Sequence, residues 1–527
     1  MREVPVQLPR LNLLDRAIAA ISPSTAVRRA RARMVLTILN AYEGASKSKR
    51  SLSQWNTLGN DPDSDILLDL PTLRARSRDL IRNNPLACGA IKTKITNVVG
   101  SGLRYQARID RQVLNMTEDQ ADEWEAIAER EWRLFWSSKD VDISRILNGQ
   151  ALTRQVYQQE KENGDVFVLF RRSKLPLFPY ELRLQVVEAD RIESKDFAID
   201  SDTLAGGIEK DSFGAPLNYH ILRSHPGSLL GKAKREWDVV PAFGRRTGLR
   251  NVIHFFYQGR PGQSRGVPDL SAVIEPLKQL GRYTDAEIMA AVISGYFTVF
   301  IESESGATAG FDYSKMGDET GQQDSDRDYK LGNGAIIELA KGEKIHDSNP
   351  GRPNQAFDPF VMAILRQIGV SLEIPFEILI KHFTSSYSAA RAAINELWKY
   401  VLTERQRLAD DFLRVVHEVW MYEAVASGRL TAPGFFADPL FRAAYLGSEW
   451  IGPAKGQIQE LQEVEAAAAR VEKGFSTLQN ETVQLTGGNW EQNHAQQVKE
   501  HKKRLADGLI QPEQTATRIS QETQTNE

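Results

Sequence analysis

Three short stretches carry residue types at spacings that could hold phosphate, calcium or zinc. In GSLLGKA, Gly227 to Ala233, two glycines precede a lysine as in a phosphate-cradling loop. One residue is missing between the glycines, and Ala233 stands where Ser or Thr must hold magnesium, so a turn is expected. DSDRDYKLGNGA places Asp324, Asp326 and Asp328 at the alternate positions of a calcium loop. Tyr329 replaces its glycine and Ala335 its closing glutamate, which predicts a solvated acidic loop instead. HEVWM, His417 to Met421, opens like a zinc-protease helix but lacks the second histidine one turn later. His220 and His225 flank a turn, and His494 and His501 stand two helical turns apart. Neither pair has a third ligand in view, so all four are expected to be surface histidines. No nucleophile elbow, paired-carboxylate constellation or kinase set occurs. The chain therefore leans toward structure and assembly, with no catalytic residue, metal or cofactor expected.

A different kind of site is suggested where an apolar run, Ile374 to Ile380, ends abruptly in Lys381, His382, Phe383, Thr384, Ser385 and Ser386. A helix of unusual length follows, expected from Ser388 to Ser427, roughly 60 Å at 1.5 Å per residue. Ile394, Val401, Leu408, Val415 and Tyr422 repeat every seven residues, with Trp398, Phe412 and Val419 on an interleaved row that Arg405 interrupts. Two seams of this length exceed what one globular helix needs, which predicts packing between neighbouring chains as well as within one. Ile394, Trp398, Val401, Leu408 and Phe412 are the residues assigned to that packing.

The elements that must position these residues read as α+β. Leu73–Arg82 forms one helix, and Asn84-Pro85 opens a second that stops at Gly100. Met116–Trp136 is another, with Trp124, Ile127, Ala128 and Trp132 on its apolar stripe. From Asp165 the period changes to that of strands: DVFVLFRR, ELRLQVVE and NVIHFFYQ. In the second of these, Leu182, Leu184 and Val186 alternate with Arg183 and Gln185, which predicts one buried and one solvated face. A helix is expected over Asp269–Gly295, then strand YFTVFIES, with AIIELA, Ala335 to Ala340, closing an insertion. The tail after about Asp507 is polar and expected to be disordered.

The 527 residues suggest about three to four domain-sized units and a sizeable core. With 66 basic and 69 acidic side chains there is no global basic excess of the kind that marks non-specific nucleic-acid binding. The single cysteine, Cys88, excludes an intrachain disulfide and fits a reducing compartment. No apolar run reaches the ~18–20 residues needed to span a bilayer, and no signal peptide is legible, so a cytosolic product is expected. Charge is unevenly placed. Residues 1–50 carry ten bases against three acids, an arm that could touch phosphate or an acidic neighbour. Residues 302–328 carry eight acids against two bases, a surface projection that includes Asp312, Asp318, Glu319, Asp324, Asp326 and Asp328.

Several ordered stretches resemble the portal proteins of tailed bacteriophages, of the lambda type. They are RSRDLIRNNPLACGAIKTKITNVVGSGL (76–103), GVPDLSAVIEPLKQLGRYTDAEIMAAVISGYFTVFIES (266–303), IGVSLEIPFEILIKHFTSSYSAARAAINELWKY (368–400) and EVEAAAARVEKGFSTLQNETVQLTGGNWEQN (463–493). The resemblance implies a portal-protein fold with wing, helical stem, clip and helical crown, assembled as a ring of twelve at one capsid vertex. Carried over by segment, it implies a basic arm at 1–50, wing at 51–265, first stem helix at 266–295 and clip at 296–352. A second stem helix at 353–373, a tunnel loop at 374–387, the long helix with returning wing at 388–450, crown at 451–505 and a disordered tail at 506–527 complete it. Double-stranded DNA would pass the channel without sequence specificity, touched by Lys381, His382, Phe383, Thr384, Ser385 and Ser386. The acids of 302–328 would dock the terminase motor or the head-tail connector, and capsid and scaffold proteins would surround the ring. The protein would reside in the virion, and in host cytoplasm during assembly. The alternatives are a scaffold or adaptor without a channel, or a nucleic-acid-processing enzyme, which would need the ATPase loop that is missing.

Overall fold

The computed structural model describes residues 25, 50–52, 54–55, 57–228, 235–295, 299–303, 343–347, 356–383, 386–457 and 459–509, without the side chains of 293–303 and 343–347. The chain divides into two units, residues 1–61 and 62–527, and the second holds every element discussed below.

Several helices begin where the sequence supplies caps. After α1 (Pro62–Ile66), α2 spans Leu70–Asn83. Asn84 stops it in extended backbone and starts α3 (Pro85–Val98), its Oδ1 accepting from the N–H groups of Leu86 (3.0 Å) and Ala87 (3.1 Å). Gly100 then turns the chain at φ +57°, where its missing Cβ leaves room for Pro453. Thr117 and Gln120 form a reciprocal capping box for α4 (Glu118–Ser137), whose stripe buries Trp124, Ala128, Trp132 and Trp136. Asn148 caps α5 (Gly149–Asn163).

Strand β1 (Arg104–Ala107) follows α3 and pairs with β11 (Ser448–Ile451) near the other end of the chain. The main sheet is β3-β2-β8, antiparallel throughout: β2 (Asp165–Arg172) lies between β3 (Leu182–Glu188) and β8 (Val252–Phe256). A second sheet orders β4 (Leu204–Ala205), β5 (Ile208–Lys210), β6 (Pro216–Leu222) and β7 (Trp237–Pro241). Strand β2 is buried on both faces. Val166 and Val168 face the main core, while Phe167 and Leu169 face the smaller core beneath the second sheet with Ile208, Tyr219 and Ile221. That explains why its sequence runs apolar without alternation.

The buried and solvated faces expected of β3 are not found: Gln185 and Val186 are both half-buried, and Val187 is buried in the smaller core. Arg183 is enclosed (1% exposed) and not solvated: its Nε donates to the Ser173 carbonyl (3.2 Å) and Nη1 reaches the Asp142 carbonyl (3.4 Å). A buried guanidinium of this kind is stabilised by the carbonyl oxygens it meets.

Helix α6 (Ile274–Gly295) leads to β9 (Val299–Ser303), which pairs with β10 (Glu343–Asp347). The expected strand at 335–340 and the acidic stretch from Glu304 to Asp328 lie outside the described residues. Helices α7 (Phe357–Ser371) and α8 (Phe376–Leu379) then bring the chain to the long helix. It comprises α9 (Tyr387–Leu408), a π-turn (Ala409–Leu413) and α10 (Arg414–Ala426), in all about 60 Å. Gly428, at φ +75°, ends it. Helix α11 (Pro439–Tyr445) precedes β11, and α12 (Glu460–Glu472), α13 (Leu478–Thr486) and α14 (Trp490–Ala506) follow.

Candidate functional site

The loop at Lys381–Ser386 sits on a mount built turn by turn. Helix α7 ends with Leu372 and Ile374 buried, and the Ile374 N–H donates back to the Gly369 carbonyl (3.0 Å). A Cβ at Gly369 would lie 2.8 Å from the Ile374 carbonyl, so glycine is required there. Glu373 takes the left-handed conformation (φ +54°), and Pro375 opens the single turn of α8, whose Leu379 is buried. Lys381 is again left-handed (φ +54°), and the His382 N–H returns to the Glu377 carbonyl (3.0 Å). Two left-handed non-glycine residues within nine positions each cost of order 1 kcal/mol, a strain that the buried anchors hold in place.

Only beyond this mount do the side chains emerge. Lys381, His382 and Phe383 are exposed, as is Ser386, while Thr384 and Ser385 lie outside the described residues. Within the 374–387 span, the apolar run is thus a folded platform up to Ile380. Ser386 occupies the position before the long helix, yet its hydroxyl meets Ser388 Oγ (3.1 Å) and caps no backbone N–H.

Beneath the platform lies a cleft of about 1130 Å³, between residues 369–377 and the face of α9 around Ala392–Glu404. Its floor is an ion-pair network from four segments. Lys94 Nζ of α3 meets Asp269 Oδ2 (2.6 Å) and lies over the Tyr400 ring (4.7 Å). Lys161 Nζ of α5 meets Glu404 Oε2 (2.7 Å), and Arg407 Nη2 bridges Glu160 (3.1 Å) and Glu404 (3.0 Å). Tyr157 Oη donates to Glu404 Oε2 (3.1 Å). Burial alone would raise the Glu404 carboxyl, but Lys161 and Arg407 outweigh it and hold it down at about 2. Burial opposes the charge on Lys94 and Lys161 as well; their carboxylate neighbours win, and both ammonium groups are held above the usual lysine range.

A second buried network fixes the entry to α6. Asp165, fully enclosed at the start of β2, accepts from Arg74 Nη2 (2.7 Å), Arg265 Nε (2.6 Å) and the Gly266 N–H (3.3 Å), with His254 Nε2 at 3.3 Å. Arg265 also donates to the carbonyls of Ala189, Ile192 and Gly206 at 2.7–3.0 Å. Burial works against the ionised Asp165, but the two guanidinium groups overcome it and hold the carboxyl far below its ordinary range. Gly266 packs so closely that an added Cβ would lie 1.9 Å from the Gly164 carbonyl oxygen. Three residues on, the Asp269 N–H donates to the Lys161 carbonyl (3.0 Å). The segment feeding α6 is therefore clamped at Arg265, Gly266 and Asp269.

The five residues assigned to inter-chain packing divide. Val401, Leu408 and Phe412 are wholly enclosed in the chain's own core, so these three pack within the chain. Ile394 and Trp398 are half-buried. Arg405, which breaks the row, donates from Nε to the Val98 carbonyl (2.9 Å) and from Nη2 to the Asn97 carbonyl (2.6 Å), closing the C-terminus of α3, and stacks on Trp398 (4.8 Å). The acids Asp312, Asp318, Glu319, Asp324, Asp326 and Asp328 lie outside the described residues.

Of the four histidines expected at the surface, His494 and His501 are exposed, His225 is half-buried and His220 is enclosed. His417 is buried among Tyr105, Trp132, Trp420 and Trp450, with ring centroids 4.7–6.2 Å away. His220 is also buried: Nδ1 accepts from the Lys195 N–H (3.1 Å), which leaves the proton on Nε2 for Glu209 (2.8 Å). Neither could be told from a surface histidine without knowing which strand or helix face turns inward. His494 stacks on Trp490 at 5.0 Å. Among the described residues one set of three potential metal ligands comes together, Glu188, Asp190 and His225. The Arg78 guanidinium already lies on both carboxylates, 3.1 Å from Glu188, so a cation there is the protein's own.

The charges that sequence reasoning missed (Arg74, Lys94, Lys161, Asp165, Arg265, Asp269, Glu404 and Arg407) are buried or half-buried and paired with one another, which is the chemistry of a rigid frame. The exposed loop above them presents a cation, an imidazole and an aromatic ring. Comparison with known proteins accords with such a frame. Residues 48–405 match the family described as phage portal protein, lambda family. Portal protein B of Escherichia phage lambda is 26% identical over 492 residues, covering 89% of this chain and 91% of that protein. The portal protein of Escherichia phage N15 is 25% identical over 480 residues, covering 88% and 89%. Among solved structures, a chain in the neck of an empty gene transfer agent (GTA) particle matches with a TM-score of 0.42 at 14% identity, covering 84% of this chain and 99% of that one. With the family matched across more than half its length, the chain belongs to the lambda family of phage portal proteins.

Proposed function

We propose that this portal protein assembles as a ring, of twelve subunits, at one capsid vertex, and that double-stranded DNA is packaged and ejected through its central channel. The family is structural and not enzymatic. The observation that carries the reading is the loop at 381–386: a short cationic and aromatic tip on a strained, anchored platform, repeated around a ring. Such groups touch phosphate without reading bases, as a conduit for any sequence requires. Tight neutralisation would stall passage, and the slight overall negative charge opposes it.

In this reading residues 51–265 form the wing, and α6 and α7 the paired stem helices. The span 296–352 is the clip, where the acids of 302–328 orient the terminase or the head-tail connector by charge. Residues 451–505 form the crown. The clamps at Asp165 and Asp269 keep the stem fixed to the wing under load. Ring closure needs a heterologous contact repeated around an axis, and capsid and scaffold proteins meet the ring's outer face. The protein functions in the virion, after assembly in host cytoplasm.

Imaging the purified chain, with its mass determined in solution, tests the ring: annular particles with a hole wide enough for duplex DNA are expected. Failure to form rings even with scaffold protein would refute it. Lys381→Ala with His382→Ala should leave rings intact and impair packaging or retention of DNA. Normal packaging by that double variant would remove the loop from the channel contact.

A further inference from the structure

A cleft of about 820 Å³ separates α9 from the C-terminal helices and shares no lining residue with the 381–386 loop. Arg391, Asn395, Trp398, Leu402, Arg405 and Ala409 recur at alternating steps of four and three, so they share one face of the helix. All but Asn395 line the cleft, and Asn395 holds the lining residue Lys455 through its side-chain oxygen. The opposite wall brings Trp450 with Gln459, Gln462 and Arg470.

The charges here are unbalanced. Arg470 is neutralised by Glu481 (2.6 Å), and Arg414 by Asp410. Arg391 has no acidic partner among the described residues, Lys455 pairs with a neutral amide, and Arg405 pairs with backbone carbonyls. Against these three stand Glu449, beside Arg108 (3.7 Å), and Glu463. Arg405 is pre-organised: its guanidinium lies between Trp398 and the backbone of Gly452, where even a Cβ would sit 2.7 Å from Cζ. Its Nη1 has no hydrogen-bond partner among the described residues.

We propose that this cleft binds phosphate oxyanions along one strand of a DNA backbone. The spacing selects a polymer over a single ion. Arg391 and Arg405 are fourteen residues apart, about 21 Å along the helix, with Lys455 held near Asn395 between them. One phosphate cannot bridge that distance, whereas a phosphodiester chain presents an oxyanion every several ångströms. The amides of Gln459 and Gln462 suit sugar and phosphate oxygens without selecting a sequence. The contact is static, unlike one in a channel, and it does not depend on the role given to Lys381 and His382.

The test is fluorescence anisotropy of a labelled 20-base-pair duplex with the full-length chain, between about 50 and 200 mM salt. Arg391→Gln with Lys455→Gln is compared with Lys502→Gln with Lys503→Gln, an equal loss of charge on exposed residues of α14 outside the cleft. The cleft variant should lose about tenfold or more in affinity, and its slope of log K against log salt should fall by about 2. The control should lose less than about threefold. Equal losses in the two variants overturn the proposal. So does displacement of the duplex by millimolar inorganic phosphate at constant ionic strength, which would assign the site to the free ion. Unchanged duplex binding with a dissociated ring would mean that the cleft seats an acidic stretch of a neighbouring copy, and also overturns it. Ring imaging and the packaging phenotype of the loop variant report on the conduit separately.

Discussion

His417 gives a stability prediction whose size follows from its surroundings. The imidazole is enclosed by Tyr105, Trp132, Trp420 and Trp450, and its Nε2 has no hydrogen-bond partner among the described residues. Burial lowers its pKa from 6.5 to about 3. The unfolded chain therefore takes up a proton near pH 6.5 that the folded chain refuses until about pH 3. The stability tied to the neutral ring is complete above pH 6.5 and falls by about 1.4 kcal/mol per pH unit on acidification through that window. At pH 4.5 the loss is about 2.7 kcal/mol. His417→Leu removes the group and keeps an apolar side chain of similar reach. At pH 7 the variant should lie within about 2 kcal/mol of the parent, since lost ring contacts are set against removal of an unpaired buried nitrogen. Between pH 7 and 4.5 the parent should lose about 2.7 kcal/mol more than the variant. Urea unfolding of the unassembled chain, followed by tryptophan emission at both pH values, measures the difference. All other titrating groups are shared by the two proteins and cancel. Losses that agree within about 0.5 kcal/mol would show that the imidazole is not held neutral by burial, and the argument would fail.

Asp165→Asn leaves Arg74 and Arg265 buried without their counter-charge and should cost about 3–5 kcal/mol; a shift in the urea midpoint worth under 1 kcal/mol would contradict the clamp. Gly266→Ala drives a methyl to within 1.9 Å of the Gly164 carbonyl and should yield little soluble protein. Gly89→Ala, in the middle of α3 with nothing within 4 Å of the new methyl, should instead raise stability by about 0.4–1 kcal/mol. Thermal melting of the two glycine variants separates steric from conformational effects.

Much of the frame was legible because local rules fix it. Asn84-Pro85, Thr117 and the glycines at 100 and 428 carry the chemistry of helix ends, and the helices begin or end beside them. The tryptophan stripe of α4 reads correctly because it obeys a single period. What failed depends on partners distant in sequence. Arg183 reads as solvent-facing until Ser173 and Asp142 are brought beside it. Val401, Leu408 and Phe412 look like a spare seam because a heptad pattern does not say which chain supplies the opposing surface. The exposed tip of the candidate loop could be read from its abrupt polarity, whereas the platform under it could not. Left-handed Glu373 and Lys381 carry no sequence signal, and Asp165, Arg74 and Arg265 meet across 91 and 100 positions.

Strand β2 serves as the common wall of two cores, and this makes the second sheet a module. Residues 189–251 leave from the end of β3 and return at the start of β8, the two strands that flank β2. From two strand spacings and the three-residue offset in register, those points lie roughly 14 Å apart, a gap that a linker of about five residues spans. The path of the remaining chain does not require the lobe. Its excision would bare Phe167 and Leu169 and remove from Arg265 all three of its carbonyl acceptors, those of Ala189, Ile192 and Gly206. The lobe could thus be enlarged, trimmed or exchanged as a unit provided that its inner face still covers those two side chains and still offers carbonyls to Arg265, and variation in length across this fold should collect between Ala189 and Asn251 sooner than within the sheet that carries them.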